Sequence, residues 1–455
     1  MEKQIKNSKG ITAIWMASIV VLIIILFVLI IALVVGGREY QYIGNFKKIE
    51  KKAEKKETSE EKEEYLLFKK GGVKFSPGGE VIEVTPQSLY LISKDRKEKK
   101  LIQFEPWESI MYFWRKEPQI IGNKMYYSLG RFYAEISKET VQEEIRGQEI
   151  IKPVAVINSK GESWSLDFLT LPKEIAQNPA FFYFRVSPDE KKIAWLYDFY
   201  SKDKEQLWIA DINGDNKEMM WEHIREKKSL FLDSLRWSKH FPFIYLFFTG
   251  KGALNLSKFS LETKEIKDIL TGNESFVDIS PDENLIAYLE LDEKYGEFGN
   301  SPEVPLVIKN IITGEKVFIT KTPKERSPQK EYSEEIIDPE SVKFAPNGKF
   351  LIYAIVGYHL EDYVGYVKWC KIFLIDIEKK EENIILTNIP KLCCPVDWLN
   401  EKELVLYCQE NKEILGGTYI ININGSDFKK IAGEEYEYIG KMELSKTEVP
   451  TFSTF

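Results

Sequence analysis

Histidine and cysteine are scarce in this chain of 455 residues, which holds three of the first and four of the second. His223, His240 and His359 fall in separate stretches, which argues against a histidine-based metal site or catalytic triad. The cysteines are Cys370, Cys393, Cys394 and Cys408, with no Cys-x-x-Cys pair. They are read first as small buried hydrophobes. A disulfide from the adjacent Cys393 and Cys394 to Cys408 is the alternative, in an oxidising compartment. No glycine-rich phosphate loop follows an apolar strand pattern, and no cofactor or metal is expected. A basic excess is missing as well. The net charge is −8, so nucleic acid is not expected as a partner.

Charge is absent altogether from Ile11 to Val35. A helix over this run reaches roughly 38 Å, enough to cross a ~30 Å hydrocarbon core with some tilt. Eighteen of its residues are Ile, Leu, Val or Phe, which favours insertion by about 7 kcal/mol. A cleaved signal peptide would have a shorter apolar region, and Val35-Gly36-Gly37 is a poor cleavage site. The expectation is an uncleaved single-pass anchor in the lipid bilayer over 11–35, behind a short tail over 1–10. Lys3, Lys6 and Lys9 precede it; Arg38, Lys47, Lys48, Lys51 and Lys52 follow it. By count, the positive-inside rule keeps the body in the cytoplasm, but that rule weakens for long translocated domains. An anchor at the extreme N-terminus favours an extracytoplasmic body on the cell membrane. The charged segment 36–64 reads as a solvated helical stalk. The first 64 residues carry 11 Lys and Arg against 9 Glu, or +2, which leaves −10 for the body.

What is abundant is one phrase. It reads FRVSPDEKKIAWLYDF from Phe184, FVDISPDENLIAYLEL from Phe276 and SVKFAPNGKFLIYAIV from Ser341. Weaker copies start at Ser234 and Pro395. Taking Ser187 as reference, the equivalent residues are Ser238, Ser280, Ala345 and Leu399, spaced by 51, 42, 65 and 54 residues. Such a period marks a propeller or solenoid. In each copy a strand meets a turn of the Ser-Pro-Asp kind and an apolar strand resumes. A second hairpin follows, as in LWIADINGDNKEMMW from Leu207 and TYIININGSDFKKI from Thr418. Asn213-Gly214 and Asn424-Gly425 are turn signals that need positive φ. Each unit is therefore four antiparallel strands. Upstream, VKFSPGGEVIEV from Val73 reads as a further copy, and a degenerate one runs from Tyr112-Phe113-Trp114-Arg115 to Lys124-Met125-Tyr126-Tyr127. The count is seven units, with six or eight as alternatives.

The Ser-Pro-Asp-x-Lys-x-Ile-Ala-Trp phrase, with the Leu-Trp-Ile-x-Asp-x-Asn-Gly hairpin after it, resembles the TolB-type WD40-like repeat. The resemblance covers roughly Val73 to Ala432 and implies an all-β fold, a β-propeller of four-stranded blades over residues 65–445. A short tail over 446–455 would follow. Tight copies carry Gly where Glu190 and Glu283 stand here. The resemblance says little about function, since propellers host many roles. Peptidases with such propellers add an α/β-hydrolase domain and a Gly-x-Ser-x-Gly elbow. No elbow occurs, and a serine hydrolase is not expected. Asp211-x-Asn213-x-Asp215 imitates the start of a calcium loop but lacks the glycine and terminal glutamate that follow there.

Labelling the strands of a blade a to d outward places the a–b and c–d turns on one face and the b–c and d–a connections on the other. The length variation is concentrated in the latter: Ser137 to Pro153, Asp292 to Pro305, Lys321 to Pro339 and Gly357 to Val367. Insertions commonly build the binding face of repeat proteins. Tyr295, Phe298, Tyr358, His359, Asp362, Tyr363 and Tyr366 are the candidate partner-binding residues there. The expected function is a membrane-anchored, non-catalytic scaffold for a protein or cell-envelope glycan. The alternative is a glycan-active hydrolase or lyase using acids in the central channel.

Overall fold

The computed structural model of the protein describes residues 62–75, 81–106, 108–111, 118–136, 143–177, 181–199, 202–224, 231–250, 253–290, 305–320, 336–361, 364–384, 393–410 and 414–445. The expected tail 1–10, the membrane segment 11–35 and the stalk up to residue 61 lie outside the described residues, as does 446–455. Among the described residues no helix is long and apolar enough to cross a membrane. Lys62, Glu63 and Glu64, read as the end of the stalk, belong to the first strand.

The chain makes seven blades. It begins with β1 (Lys62–Phe75), β2 (Val81–Ile92) and β3 (Glu98–Gln103). Blade two follows with β4 (Glu108–Met111), β5 (Gln119–Ile121), β6 (Lys124–Ile136), β7 (Glu143–Asn158) and β8 (Ser163–Ser165). β4 and β5 both pair β6 and together form one inner strand. A single helical turn, α1 (Lys173–Ala176), leads to blade three: β9 (Phe182–Val186), β10 (Lys192–Phe199), β11 (Lys204–Asp211) and β12 (Glu218–Ile224). Blade four holds β13 (Phe231–Trp237), β14 (Phe243–Gly250), β15 (Ala253–Ser260) and β16 (Ile266–Ile279). β16 then continues as the inner strand of blade five, with β17 (Leu285–Glu290), β18 (Leu306–Asn310) and β19 (Lys316–Ile319). Blade six is β20 (Ile336–Phe344), β21 (Phe350–Glu361), β22 (Val364–Asp376) and β23 (Glu381–Ile384). Blade seven is β24 (Cys393–Trp398), β25 (Glu403–Cys408), β26 (Gly417–Asn422) and β27 (Lys429–Gly433). The last strand, β28 (Tyr436–Ser445), pairs with β1 and completes blade one.

That closure corrects the first unit. Ser76 of the Val73 copy lies between β1 and β2, so it belongs to a b–c connection rather than to an a–b turn. The inner strand of this blade comes from the far end of the chain. Phe68 and Tyr436 meet there edge to face with centroids 6.1 Å apart, within a cluster that also holds Leu66, Leu399, Val405 and Ile431. In blade two the a–b turn is Gly122-Asn123, and the expected start of that copy at residues 112–115 lies outside the described residues.

Alternation and burial explain the blades. β10 is buried at five consecutive positions, as a central strand between β9 and β11 must be. The outer strand β12 is nowhere fully buried. The cores lie between blades: Tyr183, Leu196 and Leu207 of blade three pack on Leu235, Trp237 and Leu246 of blade four. Each such side chain contributes about 1.5–3 kcal/mol by leaving water.

The turn of the repeated phrase is built twice in the same way. The Ser187 hydroxyl donates to Asp189 Oδ1 at 2.7 Å and accepts from the Lys192 amide at 2.9 Å. Ser280 does the same with Asp282 and Leu285, at 2.6 and 2.9 Å. The fourth residue of the turn is left-handed, at φ 57° for Glu190 and 59° for Glu283. Glycine is the residue suited to that conformation. Both glutamates instead reach back to the preceding blade. Glu190 accepts from Lys124 Nζ at 2.8 Å and from the Tyr126 hydroxyl at 2.6 Å. Buried Glu283 accepts from the Ser238 hydroxyl and the Lys239 amide, both at 2.6 Å.

Candidate functional site

The two faces of the disc are fixed by a recurring bond. In four blades an isoleucine at the c–d turn donates its amide to a carbonyl of the a–b turn: Ile212 to Lys191, Ile311 to Asn284, Ile377 to Lys349 and Ile423 to Lys402, at 2.8–3.0 Å. The a–b and c–d turns therefore share one face. The chain also enters and leaves the propeller there. Glu64, near the start of β1, lies 3.7 Å from Lys94 of a c–d turn and accepts from Asn400 of an a–b turn at 3.1 Å.

On the opposite face the b–c connections differ greatly. β10 and β11 are separated only by residues 200–203, and β14 and β15 only by 251–252. By contrast β1–β2, β6–β7 and β21–β22 are long hairpins, in blades one, two and six. β21 and β22 pair from Phe350↔Asp376 out to Glu361↔Val364. The expected irregular insert Gly357 to Val367 is thus regular ladder except at its tip, and most of Ser137 to Pro153 is likewise strand β7. The sequence-level reading missed this because the extensions keep no repeat phrase.

Three candidate residues have a described backbone. Tyr358 stands opposite Val367 and also pairs Ile336 on the inner strand, while His359 stands opposite Tyr366. One hairpin therefore brings the three together. Asp362 and Tyr363 belong to its tip and lie outside the described residues, as do Tyr295 and Phe298 of the b–c connection in neighbouring blade five.

The central channel contains a charged ring that the sequence reading did not single out. Inner strands of successive blades touch: β9 with β13, β16 with β20, β20 with β24, and β5 with β28. Two residues before each turn reference stands a charge, Arg185, Arg236, Asp278, Lys343 and Asp397 in blades three to seven. Arg236 Nη1 donates to Asp278 Oδ1 at 3.2 Å, and the Phe344 amide donates to Asp278 Oδ2 at 2.8 Å. Lys343 Nζ donates to the Val396 carbonyl at 2.7 Å and lies 3.5 Å from Asp397. The Tyr438 hydroxyl donates to the other oxygen of Asp397 at 3.1 Å. Two tryptophans one residue further on tie the ring together, Trp237 donating to the Arg185 carbonyl at 2.8 Å and Trp398 to that of Lys343 at 3.1 Å. The signal was present in F-R-V-S, L-R-W-S, V-D-I-S, V-K-F-A and V-D-W-L: one charge between two apolar residues, always at the same place.

Other candidates become structural. Asp211, Asn213 and Asp215 close a c–d turn, with Gly214 at φ 94° and Asp211 accepting from Lys192 at 2.7 Å. His223 stacks on Trp221 and sits 3.4 Å from buried Glu205, whose other oxygen accepts from the Leu232 amide. Among the described residues no group of three or more His, Cys, Asp or Glu is placed to hold a metal ion. Cys393 and Cys408, opposite each other on β24 and β25, form a disulfide, which overturns the reading of these two as small buried hydrophobes. Cys370 and Cys394 are thiols.

No protein-family model matches the sequence, and no curated protein does. Several solved structures are similar to it. An oligogalacturonate lyase in complex with manganese is 12% identical, with 82% of this chain and 86% of that one covered and a TM-score of 0.46. TolB from Acinetobacter baumannii is 12% identical, with 85% and 83% covered and a TM-score of 0.35. A prolyl endopeptidase is 11% identical over 84% of this chain and 50% of that one, with a TM-score of 0.49. At these identities the likeness concerns the propeller alone. The chain is an all-β propeller of seven four-stranded blades whose structural neighbours include TolB.

Proposed function

We propose that the protein is a membrane-anchored, non-catalytic β-propeller that docks a protein or cell-envelope glycan partner on its long-hairpin face. The observation that carries this reading is the placement of the extended β6–β7 and β21–β22 hairpins, with β1–β2, on the face opposite the chain ends. Their uneven lengths, on an otherwise regular disc, make a surface that the fold itself does not require. The uncharged run Ile11–Val35 is the proposed anchor, in the cell membrane. The Cys393–Cys408 disulfide favours an extracytoplasmic body, because such bonds persist in oxidising compartments.

The test is crosslinking from intact membranes with Tyr358, Tyr363 and Tyr366 replaced by Ser. The reading expects the principal crosslinked species to disappear. An unchanged set of species would defeat it.

A second reading, a glycan-active hydrolase or lyase, draws on the polar channel, where Asp278 and Asp397 stand beside Arg236, Lys343 and Tyr438. It ranks second because both acids are engaged in bonds between blades. Turnover of envelope oligosaccharides that is abolished in Asp278→Asn and Asp397→Asn would reverse the order.

A further inference from the structure

On the face where the chain enters, three turns carry an apolar side chain where the repeat is otherwise polar or glycine. In blades three, six and seven the isoleucine of the c–d turn is followed by Asn213, Glu378 and Asn424; in blade five it is followed by Ile312. Ile312 is 71% exposed. Phe241 stands three residues after Ser238, where the a–b turns of blades three, five and six carry Glu190, Glu283 and Gly348. Phe428 stands four residues after Asn424, where the Asn213 hairpin carries Lys217. Both phenylalanines are exposed as well. The turns do not need these side chains for their shape. The Ile312 amide donates to Asn310 Oδ1 and the Phe241 amide to the Ser238 hydroxyl, each at 2.9 Å, bonds that the backbone of any residue but proline can make. One exposed apolar residue is ordinary on a protein surface. Three on the turns of one face, each in a polar or glycine position of the repeat, ask for a partner.

Charge separates this face from the rest of the body. The a–b and c–d turns between the strands hold 12 Lys and Arg against 13 Asp and Glu, or −1. The body as a whole carries −10, so its acid excess lies elsewhere. An anionic surface therefore repels this face least. The start of β1 is on the same face, beside Lys94 and Asn400. Only 26 residues, 36–61, stand between β1 and the uncharged run Ile11–Val35.

We propose that the turn face rests on the lipid bilayer, with Phe241, Ile312 and Phe428 buried at the headgroup level. This arrangement presupposes the anchor proposed above and gives the disc an orientation: turns toward the membrane, long hairpins away from it. Apolar side chains set among polar ones bind at that depth by leaving water while their neighbours stay hydrated. A short tether holds the surface at an effective concentration on the order of mM, so contacts too weak to capture a free protein suffice. A protein partner fits less well. Blade four is not a neighbour of blade seven, so the three side chains do not form the contiguous apolar core of a protein interface.

The test uses the full chain in nanodiscs of equal parts phosphatidylcholine and phosphatidylglycerol, doped with a phospholipid whose diazirine lies just below the headgroup. Labelled peptides are mapped by mass spectrometry after photolysis. The expected result is label on the peptides carrying Phe241, Ile312 and Phe428 as well as on 11–35. Ile224 and Leu415 are 68% and 65% exposed but lie on the opposite face, and are expected to stay unlabelled. Replacing Phe241, Ile312 and Phe428 with Ser should remove the label from the turns and leave it on 11–35. Label on 11–35 but not on the turns of the parent would overturn the membrane contact and leave the anchor standing. Label on the turns but not on 11–35 would remove the anchor and keep the contact. Label on neither would defeat both, and equal label on Ile224 and Leu415 would defeat the preference for this face.

Discussion

Replacing Glu283 with Gly would relieve backbone strain and still weaken the protein. At φ 59° a side chain costs about 1 kcal/mol relative to glycine, so the substitution gains that much. Against it stand the bonds of a carboxylate whose residue is only 4% exposed. The Ser238 hydroxyl accepts from the His240 and Phe241 amides, so its proton goes to Glu283, at 2.6 Å. The Lys239 amide donates at 2.6 Å and the Tyr245 hydroxyl at 3.3 Å. Two strong charge-assisted bonds at about 1.5–3 kcal/mol each, less part of the cost of burying the charge, leave roughly 3–4 kcal/mol to lose. The net expectation for Glu283→Gly is a loss of about 2–3 kcal/mol, and for Glu283→Ala about 1 kcal/mol more. Glu190 occupies the same turn position with a side chain 30% exposed. Its bonds to Lys124 and Tyr126 are discounted for solvent, and Glu190→Gly should lie within about 1 kcal/mol of the parent. Urea unfolding of the full chain in detergent, followed by tryptophan fluorescence, gives the midpoints and slopes needed. A Glu283→Gly midpoint at or above the parent's would refute this account of the Glu283 bonds, as would an equal fall for Glu190→Gly.

The disulfide predicts a protein in which only Cys370 and Cys394 are alkylated without reductant, and in which Cys393→Ser costs about 3 kcal/mol for a loop of this length. The Arg236–Asp278 pair, with side chains 33% and 24% exposed, should show a coupling of about 1 kcal/mol in a double-mutant cycle, shrinking with salt. Ser187 holds the Asp189 carboxyl below its ordinary value of 3.8. A depressed pKa stabilises the fold above the unfolded value and is lost as pH falls through the folded one, so Ser187→Ala should flatten the acid limb of stability below about pH 4. Carbonate washing should leave the full chain in the membrane fraction, and protease added to intact cells should reach the body; release by carbonate would remove the anchor, and protection would place the body in the cytoplasm.

Legibility followed the range of the contacts. Phe184 to Phe199 was readable because a strand, its turn and the next strand lie within sixteen residues, and Ser187, Asp189 and Lys192 carry the turn chemistry themselves. The same logic failed at Val73. Phe-Ser-Pro-Gly looks like that turn, but β1 has its inner neighbour in β28, and Lys70 meets Tyr436 from 366 residues away. No local pattern announces such a pairing. Glu190 and Glu283 looked like departures from the repeat, and their reason lies in the preceding blade.

The sequence by itself determined a four-stranded, turn-punctuated unit and its repetition, because alternation, Ser-Pro-Asp turns and Asn-Gly hairpins act within a few residues. It also supplied the charge two residues before each turn. Tertiary structure alone decided which strand closes the ring, that Cys393 bonds Cys408, and that Arg236 and Lys343 face acids of the next blade. Those outcomes depend on which blade stands next to which. That neighbourhood exists only once the disc is closed.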